Sequence, residues 1–262
     1  MTTTFTDAKL ARISLEIEGA VARIVLRNPP LNVIDIPMME ELARALAEVE
    51  AQPGIAVIVL SGAGKAFSGG VDVAAHTPDN VEDMLARFHG VMRGLVATKK
   101  ITIAQVHGHC LGGGAEVAMV CDLVYTADAA HWAFPEIKLG CYPPVACTAL
   151  AALVGQKRAA ELILTGRTIN GREAAECGLA TSSVQEDQLS QAVDECLARL
   201  LALSPAALAI TKKACYAWDS MHFDKGLARA EKIYFEDLMK TADAHEGVRA
   251  FMEKRTPKWT GK

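Results

Sequence analysis

The sequence lacks the excess of positive charge that broad attraction to nucleic-acid phosphates requires. Its 262 residues include 27 Lys and Arg against 31 Asp and Glu, for a formal net charge of −4. No nucleic-acid partner is therefore expected, although a local basic patch for a small anionic ligand remains open. Hydrophobic residues make up 51% and charged residues 22% of the chain, which is typical of an ordered globular protein.

Paired cysteine spacing and a membrane-length apolar run are also missing. The seven cysteines are an odd number without a C-x-x-C pair, so we expect buried, reduced thiols in a cytoplasmic protein. An uncharged window of 18 residues, 139–156, contains two prolines and two glycines, so it predicts a buried turn and helix and no membrane contact. The first residues carry no charged-then-apolar signal pattern, so export is not expected.

Strands alternate with helices in the first half of the sequence, and helices dominate the second half. Residues 13–17 and 21–26 predict a hairpin, while 55–60 and 101–106 are β-branched runs typical of strands buried on both faces. The predicted C-terminal helices cover residues 188–203, 205–218, 222–240 and 243–254. The pattern indicates an α/β core with a helical appendage, and no sequence repeat, low-complexity tract or long linker divides it.

Two glycine-rich turns each follow a predicted buried strand. The first covers residues 61–72 (SGAGKAFSGGVD), and the second, residues 107–116 (HGHCLGGGAE), opens directly into a helix. Glycine lets backbone N–H groups face a ligand, and a helix N-terminus adds partial positive charge. Brought together, the turns would offer two N–H donors to one oxygen, which is the form of an oxyanion hole. The alternative is that both are only tight turns.

Several motifs that would assign other chemistry are incomplete. Gly64-Lys65 is followed by Ala66, which excludes a Walker A motif, and no third glycine completes a dinucleotide fingerprint after Gly62. The histidines at positions 107 and 109 lack a second ligand pair, so no metal site is predicted.

Ser68 lies in a near match to the nucleophile elbow of hydrolases. A triad would need Asp219 or Asp243 together with His245, but the first glycine of the elbow is missing. The hydrolase interpretation is therefore kept only as an alternative.

Two glutamates stand near the glycine-rich turns in apolar surroundings. Glu116 lies among Gly, Ala, Val and Met, where a lone carboxylate is costly to bury without a task or a partner. Glu136 follows Pro135, which fixes the backbone before it. Two acids on different elements beside an oxyanion hole are the arrangement of paired acid/base groups. The alternative for each glutamate is a structural ion pair.

Segments along nearly the whole chain, from about residue 13 to 257, resemble the crotonase (enoyl-CoA hydratase/isomerase) family in order and spacing. They are residues 65–72 (KAFSGGVD), 108–122 (GHCLGGGAEVAMVCD), 134–140 (FPEIKLG), 164–166 (LTG), 174–179 (AAECGL) and 250–255 (AFMEKR). The resemblance implies a spiral of ββα units over residues 1–200 and a C-terminal helical region, residues 201–262, in the same globular unit.

The resemblance also implies how the protein assembles and what it binds. A homotrimer or a dimer of trimers is expected, with subunit contacts through the C-terminal helices. Apolar residues of the predicted helix 222–240 are expected at these contacts: Ile233, Tyr234, Leu238 and Met239. The implied substrate is a coenzyme A thioester, so CoA enters with the substrate and no separate cofactor or metal is expected.

Carried over by position, the resemblance assigns roles to individual residues. Glu116 and Glu136 are expected to be the catalytic glutamates, and the N–H groups of Gly69 and Gly113 are expected to form the oxyanion hole. Contacts with the CoA ester are expected from Arg27, Lys65, Ala66, Gly70, Val71, Asp72, Tyr142, Phe251 and Lys254. Without the resemblance, the interpretation of Phe251 is helix packing, and that of Lys254 is a solvated charge.

The activity implied by the resemblance is hydration of an unsaturated acyl-CoA ester, because both glutamates are retained. Isomerases and CoA-ester hydrolases of the family are the enzymatic alternatives. An RNA-binding or scaffold protein is the non-enzymatic alternative, which the acidic charge balance disfavours.

One segment departs from the common pattern of the family. Residues 141–147 (CYPPVAC) stand where many hydratases have Pro-Gly-x-Gly-Gly. The segment resembles that of hydratases acting on cyclic dienoyl-CoA esters, such as cyclohexa-1,5-diene-1-carbonyl-CoA. Pro143 and Pro144 are expected to form a stiff wall that suits a flat ring better than a flexible alkyl chain.

Overall fold

The computed structural model describes residues 3–4, 10–77, 79–216 and 220–260. The strands are β1 (Thr3–Thr4), β2 (Ile13–Glu18), β3 (Val21–Leu26), β4 (Val57–Gly62), β5 (Ala66–Ser68), β6 (Ile101–Val106), β7 (His109–Leu111), β8 (Leu123–Ala127), β9 (His131–Ala133), β10 (Ile169–Asn170) and β11 (Ser182–Val184). The helices are α1 (Ile36–Ala51), α2 (Val81–Ala97), α3 (Gly113–Met119), α4 (Pro144–Val154), α5 (Gln156–Thr165), α6 (Gly171–Glu176), α7 (Leu189–Leu201), α8 (Pro205–Cys215), α9 (Ser220–Glu236) and α10 (Ala242–Met252). Within these ranges no helix has the length and apolar character needed to cross a membrane.

A seven-stranded sheet forms the centre of the fold, in the order β1-β2-β3-β4-β6-β8-β11. The strands from β3 onward are parallel, and the first three are antiparallel. Ile24, Leu60, Ala104 and Val124 are neighbours in register across four of these strands, and all four are buried. The continuous β-branched runs therefore correctly predicted central strands with both faces covered.

A second sheet, in the order β10-β9-β7-β5, is built from short strands. After each of β4, β6 and β8 the chain enters this sheet through β5, β7 or β9 and then continues into a helix, so the ββα unit repeats. The predicted spiral of ββα units is confirmed. The first glycine-rich turn contains β5, which sequence analysis missed because a strand of 3 residues is too short to show alternation.

The seven cysteines all lie in the described ranges, and all are free. Cys110, Cys121, Cys141 and Cys196 are buried, as expected. Two others, Cys147 and Cys215, are exposed, so the expectation of buried thiols is wrong for those two residues.

The C-terminal helices pack against the elements that carry the candidate site. α9 contacts α4 and α2, and α10 contacts the 3₁₀ helix Pro135–Leu139. Gly140 permits the second contact, because its φ is +69° and a Cβ there would lie 2.8 Å from the carbonyl oxygen of Asp243. α8 ends at Cys215, and the predicted helix end at Trp218 lies outside the described residues. The boundary at residue 200 and the trimer contacts stay predictions.

Tyr234 departs from the expectation for the helix that carries it. The sequence pattern predicts that Tyr234 lies on an apolar surface between subunits, but the residue is only 1% exposed. Ile233, next to it, is 42% exposed, while Leu238 and Met239 are partly buried. The difference arises because α9 packs on α4 and α2, which covers the side of the helix that bears Tyr234.

Candidate active site

A cavity of about 80 Å³ lies where the two glycine-rich turns meet. Residues 69–71, Val73 and the N-terminus of α3 form one side of it, and residues of the segment 135–144 form the other. Apolar side chains of α2 and the Tyr234 side chain close it. Both glutamates singled out in the sequence, Glu116 and Glu136, line this cavity.

The structure corrects one predicted oxyanion-hole donor. Gly69 donates its N–H to the carbonyl oxygen of Leu31 at 2.6 Å, so this N–H is occupied and its assignment is wrong. Among the described residues, the N–H groups of Val71 and Gly113 have no backbone acceptor, and both residues line the cavity. Val71, expected only as a substrate contact, therefore takes the place of Gly69.

The direction of the Val71 N–H follows from a short parallel bridge. Ile34 donates its N–H to the Gly70 carbonyl, and its own carbonyl accepts the N–H of Asp72. Because backbone groups of successive extended residues point to opposite sides, Val71 turns its N–H away from Ile34. That nitrogen lies 3.3 Å from the position that a Cβ on Gly113 would occupy.

The three glycines at the start of α3 each make room for a different neighbour. A Cβ on Gly112 would lie 2.6 Å from Oε1 of Glu136. On Gly113 it would lie 2.5 Å from Cγ2 of Val71, and on Gly114 it would lie 2.6 Å from Cβ of Ser68. These distances are below van der Waals contact, so a side chain at any of the three positions would separate groups that meet here.

Asn32 is a positioning residue that sequence analysis missed. It is 1% exposed and has a φ of +53°, which is uncommon for a residue other than glycine. Its side-chain amide donates to the carbonyl oxygens of Ala63 and Ala66, at 2.8 and 2.7 Å. Its own carbonyl accepts the Ser68 hydroxyl at 2.8 Å. The buried Asn32 side chain thus fixes the first glycine-rich turn. In the sequence, only its polar side chain could have pointed to this role.

The structure does not support the nucleophile alternative for Ser68. Its hydroxyl is fully buried and accepts the N–H of Gly70 at 3.1 Å, besides its bond to Asn32. His245 is exposed on α10, and Asp219 lies outside the described residues.

The described residues also contain no group of His, Cys, Asp or Glu side chains that could hold a metal ion.

Glu116 lies on α3, and its carboxyl group reaches the N-terminus of α4. Its side chain is buried, and Oε1 accepts the N–H of Ala146 at 2.9 Å. Burial raises its pKa to about 7, while the N–H groups of Ala146 and Val145 act in the opposite direction. Pro144 begins α4, where a backbone N–H would have no partner within the helix, so the proline removes no hydrogen bond.

Glu136 is carried by the 3₁₀ helix Pro135–Leu139. The residue as a whole is partly exposed, but its Oε2 atom is shielded and has no hydrogen-bond partner among the described residues. Burial raises its pKa to about 8, and the negative charge of Glu116 contributes in the same direction. Glu116 has the N–H groups of Ala146 and Val145 to stabilise its charge, whereas Glu136 has only its own, so a single negative charge on the pair is favoured on Glu116. The pair thus offers one base and one acid near neutral pH.

The remaining predicted contact residues lie at different distances from the cavity. Gly70 and Tyr142 line it, and the Tyr142 hydroxyl donates to the carbonyl oxygen of Ala230 at 2.6 Å. Ala66 is fully buried in β5, while Lys65 beside it is exposed.

Other predicted contacts do not line the cavity. Asp72 accepts the N–H of Ala74 and so begins the 3₁₀ helix Val73–Ala75. Arg27, Phe251 and Lys254 are exposed, and Phe251 lies on α10. Within one chain, nothing brings these three to the cavity lining.

This geometry is that of an acid/base enzyme that polarises a carbonyl group. A family model described as enoyl-CoA hydratase/isomerase matches residues 16–262. The chain therefore belongs to the enoyl-CoA hydratase/isomerase family, as the resemblance predicted.

Relatives named as hydratases match nearly the whole chain. Cyclohexa-1,5-dienecarbonyl-CoA hydratase of Thauera aromatica is 35% identical over 251 residues, which are 95% of this chain and 96% of the relative. Mitochondrial enoyl-CoA hydratase of Pongo abelii is 33% identical over 240 residues, 90% of this chain and 82% of the relative. A crystal structure of an enoyl-CoA hydratase from Mycobacterium avium subsp. paratuberculosis has a TM-score of 0.87 at 28% identity, covering 96% of this chain and 99% of that one. The chain is accordingly an enzyme of the hydratase type.

We expect Gly113→Ala to reduce both stability and turnover. The added methyl group would collide with Val71 and with Phe88 Cζ, 3.0 Å away, and would push the two N–H groups apart. Overpacking of this kind typically costs about 1–3 kcal/mol of unfolding free energy. Gly90→Ala is the matched control, because no described residue outside the surrounding turns of α2 lies within 4 Å of its Cβ position. Urea denaturation and kcat/KM measure both effects, and equal behaviour of the two variants would contradict the steric argument.

Glu136→Gln is expected to stabilise the protein increasingly as the pH rises. The folded pKa of about 8 lies above the ordinary value of 4.5, so the folded protein keeps a proton that the unfolded chain loses. The stability from this proton is complete below pH 4.5 and is lost as the pH rises through about 8. Glutamine cannot lose a proton, so the Tm difference from wild type should grow from about pH 5 to about pH 9.

The exposed Glu16→Gln serves as the control for this pH series. Its Tm difference from wild type should stay constant. A constant difference for Glu136→Gln as well would contradict the raised pKa of Glu136.

Proposed function

We propose that the enzyme is a hydro-lyase that adds water reversibly to a double bond conjugated to an acyl-CoA thioester. One observation carries the proposal: a single cavity holds the unbonded N–H groups of Val71 and Gly113 together with the carboxyl groups of Glu116 and Glu136. The N–H pair suits a thioester oxygen, and the carboxyl pair suits proton transfer at the carbons next to it.

The reaction uses the two pairs of groups together. The thioester oxygen accepts both N–H groups, which stabilise the negative charge that collects on it as water adds; such a donor typically contributes about 10²–10³ in rate. The water oxygen bonds to carbon while one of its protons passes to the Glu116 carboxylate. Glu136 delivers its proton to the carbon next to the thioester. The enolate charge is thereby neutralised, and proton exchange restores the starting pair.

We extend the proposal to the CoA moiety and to assembly. Arg27, Lys65, Ala66 and Asp72 lie on or near the first glycine-rich turn, outside the cavity, where the pantetheine and phosphate parts of CoA would leave it. The CoA contacts expected at the end of α10 need a second subunit, since those side chains do not line this chain's cavity. Apolar side chains exposed on the C-terminal helices suit the contacts of a trimer or a dimer of trimers: Ile210 at 69%, Phe251 at 52% and Met252 at 54%.

For the acyl group we propose a cyclic dienoyl ester such as cyclohexa-1,5-diene-1-carbonyl-CoA. Pro143 and Pro144 are both buried and both line the cavity, so a rigid wall faces the acyl group. A rigid wall favours a flat ring over a flexible chain because less freedom is lost on binding. The relative from Thauera aromatica, named for that substrate, is 35% identical to this chain.

Glu116→Gln and Glu136→Gln are each expected to lower kcat by about 10²–10⁴, because each amide keeps the shape of the acid but transfers no proton. Glu16→Gln, on the exposed face of β2, should keep wild-type turnover. Products are followed by mass: hydration adds one water, isomerisation adds nothing and hydrolysis releases free CoA. Near-normal turnover with a collapsed affinity for the ester would make the glutamate a binding residue and refute the mechanism.

The ring proposal predicts a higher kcat/KM for cyclohexa-1,5-diene-1-carbonyl-CoA than for crotonyl-CoA, by about tenfold or more. Pro143→Ala should reduce this preference, because it loosens the wall without removing a reacting group. A clear preference of the wild type for crotonyl-CoA would end the ring proposal and leave the general hydratase proposal standing.

A further inference from the structure

Two tyrosines that pack against each other at the cavity differ in what their hydroxyl groups do. The rings of Tyr142 and Tyr234 meet edge to face, with centroids 5.2 Å apart, and both residues line the cavity. The Tyr142 hydroxyl is bound to the Ala230 carbonyl. The Tyr234 hydroxyl is buried and has no hydrogen-bond partner among the described residues.

Glu136, like Tyr234, has a buried oxygen atom without a hydrogen-bond partner among the described residues. The shielded Oε2 atom of Glu136 also lacks a partner, and its residue lines the same cavity. The two groups are near enough for a charge on Glu136 to raise the pKa of Tyr234, after the larger effects of burial, of the Cys141 thiol and of Tyr142. Tyr234 therefore stays protonated and can act as a hydrogen-bond donor at working pH.

An unpaired buried hydroxyl is costly, and a bound oxygen atom would satisfy it. The Cys141 thiol is near enough to affect the pKa of Tyr234 as a hydrogen-bonding neighbour. By geometry, however, the thiol directs its own weak hydrogen bond to the Leu139 carbonyl, with Sγ 3.6 Å from that oxygen, and the Tyr234 hydroxyl makes no bond to it. The wall of the cavity near Glu136 thus contains one hydroxyl donor and one carboxyl oxygen, both shielded, among mostly apolar side chains.

We propose that the Tyr234 hydroxyl, together with the carboxyl pair of Glu116 and Glu136, holds the oxygen that the reaction adds: the water in one direction and the hydroxyl group of the hydrated ester in the other. The inference rests on the proposed hydratase function and adds a positioning residue to it. Tyr234 transfers no proton; its hydrogen bond fixes where the oxygen stands relative to the double bond. Binding must part the cavity wall slightly, since both oxygens are shielded in the closed cavity.

The test compares Tyr234→Phe with Tyr142→Phe. Tyr234→Phe should lower kcat/KM for hydration by about fivefold to tenfold, the loss of one hydrogen bond, and should leave Tm unchanged or raised. Tyr142→Phe removes the hydroxyl that donates to the Ala230 carbonyl, so it should lower Tm.

A binding measurement separates positioning from a merely structural role. In a Glu116→Gln background, where turnover is expected to be about 10²–10⁴ slower, calorimetry measures Kd for the hydroxyacyl-CoA and for the matching unsaturated acyl-CoA. Adding Tyr234→Phe should weaken the hydroxylated ester by about fivefold to tenfold and the unsaturated ester by less than about twofold. Adding the exposed Glu16→Gln should leave the ratio of the two Kd values unchanged.

The outcomes distinguish this inference from the function on which it rests. An active wild type, with Tyr234→Phe that changes neither kcat/KM nor the ratio of Kd values, overturns the role of Tyr234 and leaves the hydratase proposal intact. A wild type that hydrates none of the linear or cyclic esters overturns both.

Discussion

The close approach of residues 69–71 to the N-terminus of α3 is the contact on which the rest of the site depends. It places the free N–H groups of Val71 and Gly113 side by side, and it exists only because Gly113 and Gly114 present no side chain to the turn. Asn32 holds the other side of the turn through its amide and carbonyl groups. The oxyanion hole therefore depends on three backbone segments together: the turn at residues 69–71, the N-terminus of α3 and the segment around Asn32. Buried hydrogen bonds hold these segments in place.

The different behaviour of the two carboxyl groups follows from the helix ends that lie beside them. α4 begins beside Glu116 and supplies N–H groups to it, whereas Glu136 has only its own short helix and receives no donor for Oε2. Two like charges in one apolar cavity are unfavourable, so the unequal surroundings decide which carboxyl ionises first. α10 packs directly on the 3₁₀ helix that carries Glu136, which makes the C-terminal region part of the site's support.

Much of this arrangement could be predicted from the sequence, and the limits have physical causes. Long apolar runs such as residues 55–60 identified the central strands, and the lone acids in apolar segments identified Glu116 and Glu136. The choice between Gly69 and Val71 was beyond sequence reasoning, because it depends on which N–H the distant Leu31 carbonyl already accepts. The short strands of the second sheet were missed because their pairing is decided by partners far along the chain and not by a local pattern.

Tyr234 is a single residue whose surroundings could not be predicted from the sequence. In the sequence it stands among Ile233, Leu238 and Met239 and looks like one more apolar position on a helix. Only the packing of α9 on α4 shows that it is enclosed, and only the neighbouring Tyr142, whose hydroxyl is satisfied, makes the free hydroxyl of Tyr234 conspicuous. A buried polar group without a partner typically costs about 1–3 kcal/mol, which phenylalanine at this position would avoid. Its position beside Glu136, whose Oε2 is equally without a partner, is the reason to assign that cost to ligand binding and not to the fold.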